Sequence, residues 1–383
     1  MICDIYHKVV DIQHTNFDLI IKINLSMSTK NSESKAAEIR QSLKLASTLL
    51  VIAFLSIFTI VYYIIFGSLN SESGSTTKIE KMDVQPDSNF TRLWTAPADW
   101  RLLRLKPEEQ KLVLYGKELI ANTAEYLGPK GSVSQISNGM NCQNCHLSAG
   151  TQPWGNNYFA VQANYPKFRE RSGAVENQVK RVNDCFERSL NGKALDSTSR
   201  EMKAILAYIK WVGSDVPNKN TPRGAGIFKI KGLKRPTDPE KGKFVYQQKC
   251  QSCHQGNGEG IMAEKGKGYT YPPLWGKHSY NNGAGLYRIS NFAGYVKYNM
   301  PLGATYDRPQ LTDEEAWDVA AFVNSMPRPE KDLSKDWPNI AGKPFDHPFG
   351  PYADPYSEKQ HKYGPYKPIK EWKEAQKKKQ NSK

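Results

Sequence analysis

Cysteine is scarce and unevenly placed: the 383 residues contain only six, and four of them fall into two close pairs. An evenly bridged framework, as in a small disulfide-stapled domain, is excluded by that spacing. Acidic residues are in deficit, with 38 Asp and Glu against 53 Lys and Arg, for a formal charge of +15. Such a chain attracts anions, whether acidic protein partners, anionic lipid or small anionic substrates. Nucleic acid is the usual partner of a basic chain, but no recognition motif for it is present, and no nucleic-acid binding is expected. Long apolar runs are missing too, with one exception.

The exception is residues 45–66, LASTLLVIAFLSIFTIVYYIIF, which carry no charge. As a helix this run is long enough to cross a ~30 Å hydrocarbon core. Lys30, Lys35, Arg40 and Lys44 precede it. The positive-inside rule then keeps the N-terminus in the cytoplasm and places the bulk of the chain outside. The rival is a cleaved signal peptide, whose apolar region would be shorter and followed by a small-residue cleavage site. Here the run ends in Tyr62-Tyr63-Ile64-Ile65-Phe66. The expectation is a single-pass anchor in a bacterial-type cytoplasmic membrane with the remaining domains in the periplasm. Met1 and Met27 both remain candidate starts.

Residues 1–44 are thus a cytoplasmic segment, 45–66 the anchor and 67–81 a Ser-rich flexible tether. Beyond the tether one order of elements occurs twice. A helix is predicted over 108–126, followed by Cys142-Gln143-Asn144-Cys145-His146 and a second helix over 199–212. A basic Pro/Gly linker, 217–236, separates this unit from the next. There Asp238 caps a helix with Pro239 at its first position, Cys250-Gln251-Ser252-Cys253-His254 follows, and Thr312 caps a closing helix. Such repetition points to two domains of one type, 82–216 and 237–327. The tail, 328–383, is rich in Pro, Gly and aromatics, too many for plain disorder, and should wrap over the globular part. Only its last residues, KKKQNSK, read as free.

Each Cys-x-x-Cys-His run matches the c-haem attachment signal. Two thiols one turn apart, Cys142 with Cys145 and Cys250 with Cys253, reach the two vinyl groups of one haem. His146 and His254 are then held beneath the iron as proximal ligands. A zinc site built from both pairs, or two redox dithiols, would leave the repeated histidine without a reason. The fold class is therefore mainly α, two class I cytochrome c-type domains in tandem, carrying two covalently bound haem c groups. An N-terminal transmembrane helix and a wrapping C-terminal tail complete it.

Sixth ligands differ between the domains. Met300, before the closing helix of the second, can reach the iron, with Lys297 as the weaker rival and a packing role as the plain alternative. No methionine occupies the matching place in the first domain, since Met202 falls inside a helix. Cys185 sits there instead, in Arg181-Val182-Asn183-Asp184-Cys185-Phe186-Glu187-Arg188. If this stretch is helical, Arg181 and Arg188 flank the sulfur and favour a thiolate, while Asp184 and Glu187 oppose it. A buried thiol and a disulfide are the alternatives, although the spare Cys3 lies before the anchor.

These pieces resemble the thiosulfate dehydrogenase family of di-haem cytochromes c over roughly residues 94–369. The likeness rests on CQNCH at 142–146, YPKFRERSG at 165–173, RVNDCFERSLNG at 181–192, CQSCH at 250–254, NMPLG at 299–303 and the tail pieces FGPYAD and QHKYGPY. The resemblance implies His146 and Cys185 on the first iron and His254 with Met300 on the second. It implies substrate-site roles for Arg171 and Arg181, which with Arg188 would offset the repulsion between two thiosulfate dianions. In some members the residue before the methionine is a ligating lysine; here it is Asn299. Thiosulfate and tetrathionate would be interconverted, with a small cytochrome c as redox partner. A di-haem electron carrier without substrate chemistry is the rival, and it leaves Cys185 without a role. A di-haem peroxidase would need an acid/base motif that is lacking.

Overall fold

The computed structural model describes Lys44, residues 47–51, 55–56, 93–264 and 267–382. The chain divides into Met1–Val84 and Gln85–Lys383. Of the first unit only a few helical, exposed residues between Lys44 and Ser56 are described. The cytoplasmic segment, most of the expected anchor at 45–66 and the tether at 67–81 therefore lie outside the described residues. Among the described residues no helix is long and apolar enough to cross a membrane.

The second unit is built from two helix crossings. Helix α1, Pro107–Ala121, packs on the later helix Arg200–Val212, which buries Met202, Ile205, Tyr208, Ile209 and Val212 along one face. The approach is close because Gly116 stands at the contact: a Cβ there would lie 2.0 Å from the Ala204 carbonyl oxygen. The second domain repeats the device. Pro239–Lys249 crosses Asp313–Ser325 at Gly242, where a Cβ would fall 1.9 Å from the Asp318 carbonyl oxygen. Two crossings made by glycine in the same place are the structural form of the repeat seen in the sequence.

The caps explain the helix limits. Ser199 accepts from the Met202 N–H, Asp238 from the Glu240 and Lys241 N–H groups, and Thr312 forms a capping box with Glu315. The helix expected over 108–126 is instead broken at Asn122, with a short piece, Thr123–Leu127, after it. Thr123, the first residue after the break, bridges it to the next motif: its hydroxyl donates to the Leu119 carbonyl at 2.7 Å and accepts from the Cys142 N–H at 2.9 Å. The helix end thereby holds the first Cys-x-x-Cys-His turn in place.

Ile289–Asn299 adds a buried helix to the second domain, packed on Asp313–Ser325 and ending at Met300. Among the described residues sheet is confined to two short antiparallel ribbons, of which Lys167–Arg169 paired with Ala174–Glu176 matters for the site. The tail packs over the core. Asp346, fully buried, receives the Arg288 guanidinium, and Tyr366 and Ile369 are buried, the former tilted against Trp317. The closing residues read as free continue a helix, Lys367–Asn381, whose last turns are exposed. Its lysines and glutamines favour helix even without burial.

Candidate functional site

The first Cys-x-x-Cys-His turn hangs from the end of α1, with the Gln143 side-chain amide donating to the Ala121 carbonyl at 2.7 Å. It forms one wall of a cavity of about 850 Å3, mouth included, lined by Cys142, Cys145, His146 and, facing them, Val182, Cys185 and Phe186. Ile120, Ile205 and Ile209 from the crossed helices close it. The second turn lines a larger cavity, about 1520 Å3, with Cys250, Cys253, His254 and Met300. Asn141 and Cys145 belong to both linings, so the two cavities share a wall.

Both histidines are oriented alike. Nδ1 of His146 faces the Asn156 carbonyl, and Nδ1 of His254 faces the Pro272 carbonyl at 2.8 Å. A proton on Nδ1 leaves Nε2 with its lone pair for a metal. Tyr158 stacks on His146 with ring centres 4.6 Å apart. Burial pushes His146 down to about 4 and lowers His254, so both stay neutral, the form that ligates. Burial also pushes the Cys142, Cys145 and Cys250 thiols up, to about 11, about 12 and about 11. Reactive dithiols show the opposite shift. Among the described residues no three His, Cys, Asp or Glu side chains converge as zinc would require. Two apolar cavities, each beside a thiol pair and an Nε2-presenting histidine, fit covalently held haem.

Met300 lines the second cavity, whereas Lys297 does not. The Lys297 ammonium is spent on the Leu311 carbonyl and on Asp313 at 3.1 Å. Asn299 is buried and points to the first domain: its carbonyl oxygen accepts from Gln152 at 2.8 Å and its amide donates to the Trp154 carbonyl at 3.1 Å. Met300→Ala should therefore abolish the sulfur–iron charge-transfer absorption of the second haem and lower its potential. Unchanged spectra would remove Met300 from the coordination sphere.

A third, polar cavity of about 550 Å3 adjoins the first, and Arg171, Arg181, Asp184, Cys185 and Arg188 line it beside His146. Each arrives by a local device. Arg171 sits in the turn between strands β1, Lys167–Arg169, and β2, Ala174–Glu176, a turn closed by Gly173 at φ 64°. Arg181 rides on helix α2, Gln178–Asp184, capped by the Asn177 side chain. At Cys185 this helix widens to a π turn, Cys185–Ser189, with the Leu190 N–H reaching the Cys185 carbonyl at 2.9 Å. Such widened turns are frequent at functional sites. Leu286 and Asn291 of the second domain and Ile227 of the linker complete the lining.

The three guanidinium groups are not equivalent. Arg188 is paired end-on with Asp336, both contacts at 2.8 Å. Neither Arg171 nor Arg181 has a side-chain hydrogen bond or ion pair among the described residues. Burial, followed by the Arg188 and Arg181 charges, pushes Arg171 down to about 10. Arg181 is held above the usual arginine range, chiefly by negative charge on the adjacent Cys185 sulfur. Two guanidinium groups in the cavity are thus taken up by no hydrogen bond or ion pair among the described residues, a site shaped for an anion. The residue pattern pointed to Arg181, Cys185 and Arg188 and the family resemblance to Arg171, and all four line this cavity. It missed Asp336, which lies 148 residues after Arg188 with no local signal to link them. It also missed Asn156 and Tyr158, which orient His146.

A mainly helical chain with two such motifs and cavities is a di-haem c-type cytochrome, carrying two covalently bound haem c groups. Residues 132–217 match the SoxA/TsdA cytochrome c domain and residues 239–327 the cytochrome c family. The thiosulfate dehydrogenase of Allochromatium vinosum is 39% identical over 198 residues, 51% of this chain and 72% of that protein. The one from Psychrobacter arcticus is 38% identical over 211 residues, 54% of this chain and 62% of that protein. A solved thiosulfate dehydrogenase (TsdBA) from Marichromatium purpuratum superposes with a TM-score of 0.57 at 29% identity, covering 62% of this chain and 50% of that one. The chain belongs to the thiosulfate dehydrogenase family.

Proposed function

We propose that this protein interconverts thiosulfate and tetrathionate at the polar cavity beside Cys185. The observation that carries the reading is the meeting of Arg171 and Arg181, neither in an ion pair among the described residues, with a cysteine sulfur on the edge of the first haem cavity. Arg171 and Arg181 hold dianions and screen their mutual repulsion. The Cys185 thiolate forms a sulfur–sulfur bond to the terminal sulfur of one thiosulfate, with loss of two electrons. A second thiosulfate displaces the thiolate in an electron-neutral exchange, and tetrathionate leaves. Haems held at Cys142, Cys145 and His146 and at Cys250, Cys253 and His254 would supply the one-electron acceptors, and Asn141 and Cys145 line both cavities. A plain electron carrier would need neither the cationic cavity nor Cys185.

Steady-state assay with thiosulfate and an artificial electron acceptor, and in reverse with tetrathionate and a reduced viologen, tests the reading. Turnover in neither direction by the di-haem protein would end it. The acceptor in the cell is a small cytochrome c in this reading. The run at 45–66 anchors the chain in the cytoplasmic membrane with the haem domains in the periplasm, supported by its length and the basic residues before it. Membrane fractionation of the full chain should find it resistant to salt and released by detergent. Recovery of mature protein cleaved after this run would refute the anchor.

A further inference from the structure

Residues 336–342 of the tail contact first-domain elements that line the substrate cavity, while Leu333 just before them lies beside Gly283 of the second domain. Trp337 donates its backbone N–H to the Arg171 carbonyl at 2.7 Å. Pro338 presses on Gly173, where a Cβ would come within 2.6 Å of its ring, and Gly342 is crowded in the same way by Glu170. The whole β1–β2 turn that carries Arg171 is thus backed by the tail. Asp336 does the same for Arg188. Its carboxylate grips Nη1 and Nη2, each at 2.8 Å, and only 13% of its side chain is exposed.

The consequence lies in what the grip leaves over. Arg188 is 93% buried, its residual exposure 7%, and its Nε is buried with no hydrogen-bond partner. Asp184, the nearest other carboxylate, is 3.9 Å from that nitrogen, beyond hydrogen-bond reach, and is itself taken by Lys180 at 2.6 Å. A buried donor without an acceptor is costly unless a ligand supplies one. Arg188 also lines the cavity that Arg171 and Arg181 line. The second domain fixes it from the other side, with Asn281 donating its N–H to the Arg188 carbonyl at 3.1 Å.

We infer that Asp336 is a positioning residue for substrate: by holding both terminal nitrogens of Arg188 it turns Nε–H toward the bound dianion as a third donor beside Arg171 and Arg181. The inference rests on the reading of this cavity as the thiosulfate site. It makes a counterintuitive forecast, because Asp336 is an anion beside an anion site. If it acted by charge alone, its neutralisation would tighten binding. As a positioning group, its neutralisation frees Arg188 to swing from its two like-charged neighbours and weakens binding.

The test is Asp336→Asn in the full di-haem protein, with Arg188→Ala and the double variant. Thiosulfate is titrated against the spectrum of the first haem, and KM and kcat are measured alongside. The expected result is a rise in Kd and KM of roughly ten-fold, the weight of one charged hydrogen bond, with a smaller change in kcat. Both haems should stay attached and the second haem's spectrum should be unchanged. The double variant should be no weaker than Arg188→Ala, because the two residues act as one. Asp336→Glu, which keeps the charge, should recover part of the loss. An unchanged or lower Kd in Asp336→Asn, or additive losses in the double variant, would overturn the inference. A wild-type protein that turned over neither substrate would end the functional reading alone, since the spectral titration with thiosulfate still decides whether Asp336 shapes the anion site.

Discussion

Cys185→Ser should leave a protein that carries both haems and turns over neither thiosulfate nor tetrathionate. Attachment depends on Cys142, Cys145, Cys250 and Cys253, none of which is touched. Serine is close in size, so the widened turn that begins at residue 185 keeps its shape. What is lost is the sulfur: a hydroxyl has neither the acidity to become an anion here nor the ability to exchange with a sulfur–sulfur bond. The absorption spectrum of the first haem should change and that of the second should not. Arg181 should respond too, since the Cys185 sulfur is the largest influence on it. Near-normal activity in Cys185→Ser would defeat the proposed chemistry and leave an electron carrier as the better account.

Arg171→Ala and Arg181→Ala should each weaken kcat/KM by roughly 1.5–3 kcal/mol, the range for a hydrogen bond to a charged group, or about 10- to 150-fold. Their side effects should differ. Arg171 is on the strand turn and Cys185 is not among the groups that shift it, so its loss should spare the first haem's spectrum. Arg181 stands beside Cys185 and should perturb it. Stability gives an independent reading. A buried cation whose pKa is pushed down to about 10 costs the folded state stability at every pH where the group is charged, neutral pH included, and the cost fades as pH rises through 10. Arg171→Ala should therefore not lower the melting temperature of the ligand-free protein at pH 7. Thiosulfate should raise that temperature for the wild type more than for the variant, because the anion binds only the folded state. A melting temperature well below wild type would mean that Arg171 holds structure rather than substrate.

How legible this was from the residues varied with range along the chain. The caps at Asp238 and Thr312 could be read to the residue, because a cap is a contact between near neighbours, whereas the helix expected from Ser199 starts one residue later with Ser199 as its cap. The two haem motifs and the Arg181–Cys185–Arg188 run were equally local. The break at Asn122 was not, because Thr123 gains its partner at Cys142, on a later turn. Ile289–Asn299 was missed for another reason: it is buried around most of its circumference, so it lacks the polar stripe that marks an amphipathic helix. The division of labour among the arginines could not be seen at all. It turns on whether a carboxylate from the far end of the chain arrives at Arg188 and none arrives at Arg171 or Arg181, a long-range fact.

The polar cavity takes its wall from both domains and the linker, through Arg181 and Cys185 on one side and Ile227, Leu286 and Asn291 on the other. That makes the tandem arrangement more than two beads on a string. A chimera given a different electron-exit domain, to suit a different acceptor, would inherit that donor's residues at the substrate wall. In the proposed reading the second domain thus both passes electrons on and walls the substrate cavity, so it cannot be exchanged as a module without retuning that wall.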